Sequence, residues 1–164
     1  MRADSCCHDA VSMAPVRYRR KFPPRTAQQG IPMKFASVRL IAADIGALVP
    51  FYEHIAATSA QWLAPVFAEI VTPAATIAIG SVETMALFKP GAAQPAANRT
   101  AILEFMVADV DAEFARLRAS VELVHEPKDM PWGNRTFMFN DPEGSPIAFY
   151  TPVTEAARLR FAGR

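Results

Sequence analysis

The chain writes one local pattern twice, and that repetition constrains its fold more than any other feature. FASVRLIAADI (residues 35–45) superimposes on TAILEFMVADV (residues 100–110) when Asp44 is aligned with Asp109. In both copies an alternating apolar run ends at an aspartate, the preferred kind of helix N-cap, and apolar residues at helical spacing follow. The first helix, over Ile45–Ala57, carries Leu48, Phe51, Tyr52 and Ile55, and Pro50 threatens to displace its start. The second carries Val110, Phe114, Leu117 and Val121. A strand-cap-helix unit repeated about 65 residues apart points to two copies of one supersecondary module.

The rest of each copy reads as strands. In the first, Trp62–Thr72, Ala75–Ile79 and Met85–Phe88 are apolar runs separated by Pro73 and polar residues. In the second, Ala101–Val107 opens the module and Leu123–His125 precedes a loop with Pro127 and Pro131. The closing stretch WGNRTFMFNDPEGSPIAFY (132–150) is a hairpin, because Asp141-Pro142-Glu143-Gly144 supplies turn chemistry between two β-favouring runs. Small residues at 91–98 link the copies. The expected fold is α+β, with two tandem βαβββ modules at 33–90 and 99–152. Residues 153–164 form a tail or a short helix.

Residues 1–32 differ in kind. They hold six of the 17 basic and two of the 16 acidic side chains, so residues 33–164 carry 11 against 14, a net of −3. They also hold both cysteines, Cys6 and Cys7, and four prolines without periodicity. A disordered basic leader before a start at Met33 is expected, against a basic arm that touches membrane or nucleic acid. The mildly acidic body gives no electrostatic case for nucleic acid, and no segment reaches the length of a membrane span. Without cysteine, the body has no disulfide or thiolate chemistry, and a cytoplasmic setting is expected.

Paired βαβββ modules closing on a DPEG hairpin resemble the vicinal oxygen chelate superfamily, which contains glyoxalase I, extradiol dioxygenases and bleomycin-resistance proteins. The resemblance covers Met33 to about Pro152 and implies curved mixed sheets forming a cup. In metal-dependent members the first strand of each module offers His or Gln and the last offers Glu. Carried over residue by residue, those positions are Ser37 and Ala86 in module one, and Ile102 and Ala148 in module two. None is a histidine or carboxylate, whereas a catalytic divalent ion needs about three protein ligands. His8, His54 and His125 have no ligand-set spacing. The resemblance therefore implies no metal, no cofactor and no catalytic residue, and is closest to the bleomycin-resistance type. Such relatives sequester a ligand, and many are homodimers. The rival is a glyoxalase-like lyase or isomerase, or a dioxygenase with ligands in another register.

Period-two facing assigns the candidate small-molecule site. Phe35, Ser37 and Arg39 come from the first strand of module one, and Ile102, Glu104 and Met106 from that of module two. Ala86, Phe88, Ala148 and Tyr150 come from the last strands, Trp62 and Trp132 from the rim, and Arg135 from the mouth or the solvated loop. Filling of the core by the same aromatics remains the alternative. Arg39 and Glu104 occupy equivalent positions, so an internal ion pair or a shared ligand anchor is expected there. Asp141 and Glu143 are assigned to the turn. A chain shortened to begin at Met33 should keep its melting temperature. A loss of several degrees in calorimetry would show that the leader packs on the body.

Overall fold

A computed structural model describes residues 34–162. The expected leader, with His8, lies outside them. Eight strands form two mixed sheets, one per module. Module one contains β1 (Ser37–Ala42), α1 (Ile45–Ala56), β2 (Gln61–Ala64), β3 (Phe67–Val71) and β4 (Thr76–Ser81). Module two contains β5 (Leu103–Met106), α2 (Val110–Leu117), β6 (Glu122–Asp129), β7 (Asn134–Asn140) and β8 (Pro146–Pro152), followed by α3 (Glu155–Phe161). The orders β1-β4-β3-β2 and β5-β8-β7-β6 are the same, with the first strand parallel to the last in both. The tandem βαβββ architecture is thus present.

Both aspartates cap as their positions imply. Asp44 Oδ1 accepts from Ala47 N at 3.1 Å, and Asp109 Oδ1 accepts from Asp111 N at 3.0 Å and Ala112 N at 3.1 Å. α1 begins directly after its cap and runs through exposed Pro50, so the proline does not displace the start. β6 likewise runs through Pro127, which was expected in a loop. It is an edge strand with irregular register on either side of His125, where a missing N–H costs no ladder bond.

Module one departs from expectation at its end. Trp62–Thr72 is a hairpin, turned at Pro65–Val66, and this moves the fourth strand forward to Thr76–Ser81. Met85–Phe88, expected as the last strand, instead falls in and just after a 3-10 helix, Val82–Leu87. Thr84 Oγ1 donates to Ser81 O at 2.7 Å and tightens that turn. A Cβ at Gly80 would lie 2.9 Å from Thr84 Oγ1, so the bare glycine admits the turn onto the sheet.

The core is shared between modules. Leu48, Val49, Tyr52 and Ile55 of α1 join Phe137, Phe139, Ile147 and Phe149 of sheet two in one buried cluster. The Phe51 ring lies 6.4 Å from Phe139, which is 5.4 Å from both Phe137 and Phe149. Polar bonds fix α1 at both ends. Glu143 Oε1 accepts from Ala43 N at 2.6 Å, and Oε2 accepts from Ala96 N of the linker at 3.2 Å. At the other end Arg116 donates to His54 O at 2.8 Å and Ile55 O at 3.0 Å, covering carbonyls that the helix leaves open.

Between these ends, Tyr52 Oη donates to the buried Asp141 Oδ2 at 3.0 Å. Burial and the Asp141 carboxylate push the Tyr52 phenol far above its ordinary pKa, so it keeps its proton. Asp141 Oδ1 also accepts from Glu143 N at 2.9 Å and Ser145 N at 2.8 Å. The turn residues thus form the turn, as expected, and also tie the modules together. Asp141→Ala should cost roughly 3 kcal/mol, because it strands the Tyr52 hydroxyl and two backbone donors. Tyr52→Phe should cost about 1–2 kcal/mol. Urea unfolding should give that order; equal or negligible losses would contradict it.

Candidate functional site

Strand pairing sorts every side chain onto one of two faces. Val38, Leu40, Leu103 and Phe105 pack against the shared core, so Ser37, Arg39, Ile102, Glu104 and Met106 face away from the helices. Arg39 lies opposite Ala78, which pairs with Glu69. Glu104 lies opposite Ala148, which pairs with Met138. The two modules therefore carry equivalent open-face rows, and the alternation read from the sequence is correct for both first strands.

The same pairing corrects the family positions. Ala148 is the partner of Glu104, so its counterpart in module one is Ala78, the partner of Arg39. Ala86 lies in the 3-10 helix and is not a last-strand residue. The four positions become Ser37, Ala78, Ile102 and Ala148, with one hydroxyl among them and both alanines buried. Among the described residues no three His, Cys, Asp or Glu side chains cluster as a metal site. His54 Nε2 is instead 3.0 Å from Ser120 Oγ, and His125 Nδ1 is 2.8 Å from Glu126 O. This donor set does not fit the divalent ion of the metal-dependent members.

The candidate residues fall in three places. On module one's open face, the Arg39 guanidinium lies 4.7 Å from the Phe67 ring centre and 5.6 Å from that of Phe88. No direct ion pair between Arg39 and Glu104 occurs among the described residues. The nearer partner of Arg39 is aromatic and belongs to its own module. Phe67 could have been found from the sequence only with the β2–β3 turn in hand.

The second place is a cleft of about 690 Å³ between the two first strands. It is bounded by Phe35 and Val38, by the loop Thr72–Ala75, and by residues 101–106. Phe35, Ile102, Glu104 and Met106 meet here, and Glu104 is the only charged side chain of the lining among the described residues.

The third is a cavity of about 370 Å³ on module two's open face, bounded by Glu104, Trp132, Asn134, Tyr150, Arg160 and Phe161. The Phe161 ring, from α3, lies 5.5 Å from that of Tyr150. Glu104 borders both cavities. Asn134, Arg160 and Phe161 were not anticipated, because nothing in the spacing says that α3 folds back over sheet two.

Two candidates lie elsewhere. Trp62 pairs with Ala68, whose side chain is in the core, so it shares the helix-side face at a sheet edge and is half exposed. Arg135 shares the β7 face of Phe137 and Phe139, and is held at the α2 side. Its Nε and Nη2 donate to Asp111 at 2.8 and 2.9 Å, and Nη1 donates to Asp129 at 3.0 Å. The Arg135 bonds hold the Asp111 carboxyl below its usual range, and the two carboxylates raise the Arg135 guanidinium above its own. Arg135 is engaged in structure at a distance from the open face.

With this geometry in view, the family match decides the assignment. The model for the Glyoxalase/Bleomycin resistance protein/Dioxygenase superfamily matches residues 34–149. The chain belongs to this superfamily. A glyoxalase/bleomycin resistance protein/dioxygenase from Nocardioides is similar over 79% of this chain and 89% of its own, at 22% identity and TM-score 0.66. A protein of unknown function from Agrobacterium tumefaciens is 27% identical over 75% of this chain and 97% of its own, with TM-score 0.63. A superfamily enzyme from Burkholderia phytofirmans PsJN is 18% identical, covering 74% of this chain and all of its own, with TM-score 0.64. No functionally curated protein matches the chain. No helix of the described residues is long and apolar enough to cross a membrane.

The lowered pKa of Asp111 gives a signed expectation. Its bonds to Arg135 stabilise the fold above the unfolded carboxylate pKa, near 4, and that contribution is lost as pH falls through the lower folded value. The stability gap between the wild-type protein and Asp111→Asn should therefore narrow below about pH 4. A gap unchanged between pH 7 and pH 3 in chemical unfolding would show that the bonds contribute nothing; a small gap is expected at so exposed a site.

Proposed function

We propose that the protein binds a compact, partly aromatic small molecule on the open faces of its sheets, without metal-dependent chemistry, and does so as a homodimer. The observation that carries this reading is the 690 Å³ cleft between β1 and β5. It has the size and the mainly apolar lining of a small-molecule site, with a single carboxylate to orient the occupant. The absence of a usable donor set at Ser37, Ala78, Ile102 and Ala148 supports binding over metal-assisted catalysis. Support for a second copy as partner comes from exposed apolar side chains. Phe35, Leu87, Phe88, Ile102, Met106 and Trp132 are each between 48% and 83% exposed, the kind of side chain that an interface between copies would cover.

A thermal-shift series on the full chain tests the reading. Small aromatic compounds should raise the melting temperature, and Zn, Ni, Fe and Mn should not, because only a ligand of the native state stabilises it. Elemental analysis after chelator-free purification should find no stoichiometric metal. One equivalent per chain, or stabilisation confined to divalent ions, would overturn the proposal in favour of an enzyme. Light scattering coupled to gel filtration should give twice the chain mass; a monomer at micromolar concentration would remove the dimer.

A further inference from the structure

The smaller cavity on module two carries polar groups that the fold does not use. Asn134, at the start of β7, is 7% exposed, and its Oδ1 is buried without a hydrogen-bond partner. A buried acceptor left unpaired is destabilising and calls for an explanation. Asn134 lines the cavity, so a small rotation of its amide would present this oxygen to a donor bound there. The Glu104 carboxylate borders the same space and makes no ion pair among the described residues.

The opposite wall is built by α3. Its entry is fixed by Val153 N and Thr154 N, which donate to Gly133 O at 2.9 and 3.2 Å. Gly133 has a φ of +91°, and a Cβ there would collide with Thr154 Oγ1, so this close approach requires glycine. Near the other end, Arg160 Nη2 donates to Trp132 O at 2.7 Å. α3 is thereby tied to the Trp132–Gly133 loop at two points, and it brings a guanidinium and the Phe161 ring to the cavity. Acceptors (Glu104 and Asn134 Oδ1) thus share the cavity with a donor (Arg160) and with the rings of Trp132, Tyr150 and Phe161. The formal charges of Glu104 and Arg160 cancel, so neither a cation nor an anion gains a net Coulombic advantage.

From this arrangement we infer that the cavity beneath α3 is a subsite for a neutral, planar carboxamide or lactam group of the ligand. The ligand N–H bonds Asn134 Oδ1 and the Glu104 carboxylate, its carbonyl accepts from Arg160, and the aromatic walls receive its plane. Glu104 also borders the larger cleft, so one ligand places its apolar body there and its amide here. This assignment rests on the small-molecule-binding reading above and specifies the ligand's polar end.

The test uses the full chain and four one-ring probes of similar size: benzamide, benzoate, benzylammonium and toluene. Calorimetry and saturation-transfer NMR should show benzamide binding about tenfold more tightly than the other three, the difference of roughly one well-made buried hydrogen bond. Asn134→Leu removes the amide acceptor at similar volume, and Glu104→Met removes the carboxylate at an exposed residue with little risk to folding. Both should abolish most of the benzamide preference, measured as benzamide affinity relative to toluene in the same variant. Equal affinity for all four probes, or a preference that survives both substitutions, would overturn the amide subsite while leaving small-molecule binding intact. Failure of all four probes to bind would overturn the underlying reading and this inference with it.

Discussion

The Tyr52–Asp141 hydrogen bond is the constraint on which the relation of the two modules depends. It joins the first helix of one module to the closing hairpin of the other, 89 residues away, inside a core too apolar to leave either group unpaired. Geometry makes it directional, which the surrounding contacts of Phe51, Phe137 and Phe139 are not. Aromatic packing supplies the driving force for docking, and the Asp141 bonds select one docked arrangement. Glu143 at the helix start and Arg116 at the helix end extend that selection along all of α1. The turn is therefore a connector as well as a chain reversal. Its acidic residues meet backbone donors and a phenol.

Because α1 is held between the modules, the opposite faces of the two sheets are left outward, and the candidate site lies on them. Three surfaces converge near β1 and β5: the Arg39 face with Phe67 and Phe88, the cleft bordered by Ile102 and Met106, and the cavity beneath α3. Glu104 lies where the last two meet. Small side chains at Ala78 and Ala148, where the metal-dependent relatives carry carboxylates, make room beside Arg39 and Glu104. The superfamily scaffold keeps its two equivalent rows here, and the side chains on them are charged, aromatic and small apolar ones.

Much of the fold was legible because two levels agreed. The Asp44 and Asp109 caps and the alternation before them mark the same boundaries, and the repeat marks them twice. The errors arose where short apolar runs stood alone. MALF has no periodicity that separates a strand from a 3-10 turn, and Pro65 is a single break inside a run that reads as one long strand. The rows containing Arg39 and Glu104 followed from parity. Parity also places Arg135 with Phe137 and Phe139, on the helix side of β7. Asn134, Arg160 and Phe161 had no such signal, since only the return of α3 across sheet two brings them beside Glu104.

Pro127 has a further consequence at the outer rim of sheet two. β6 is an edge strand, and an uninterrupted edge offers a row of free donors and acceptors to any passing extended chain. Pro127 removes one donor from that row, and the irregular register around His125 bends the strand away from a flat template. Glu122, Glu126, Lys128 and Asp129 add charge along the same strand. Intermolecular strand addition is discouraged on that side, so the rim of sheet two is closed to open-ended sheet growth.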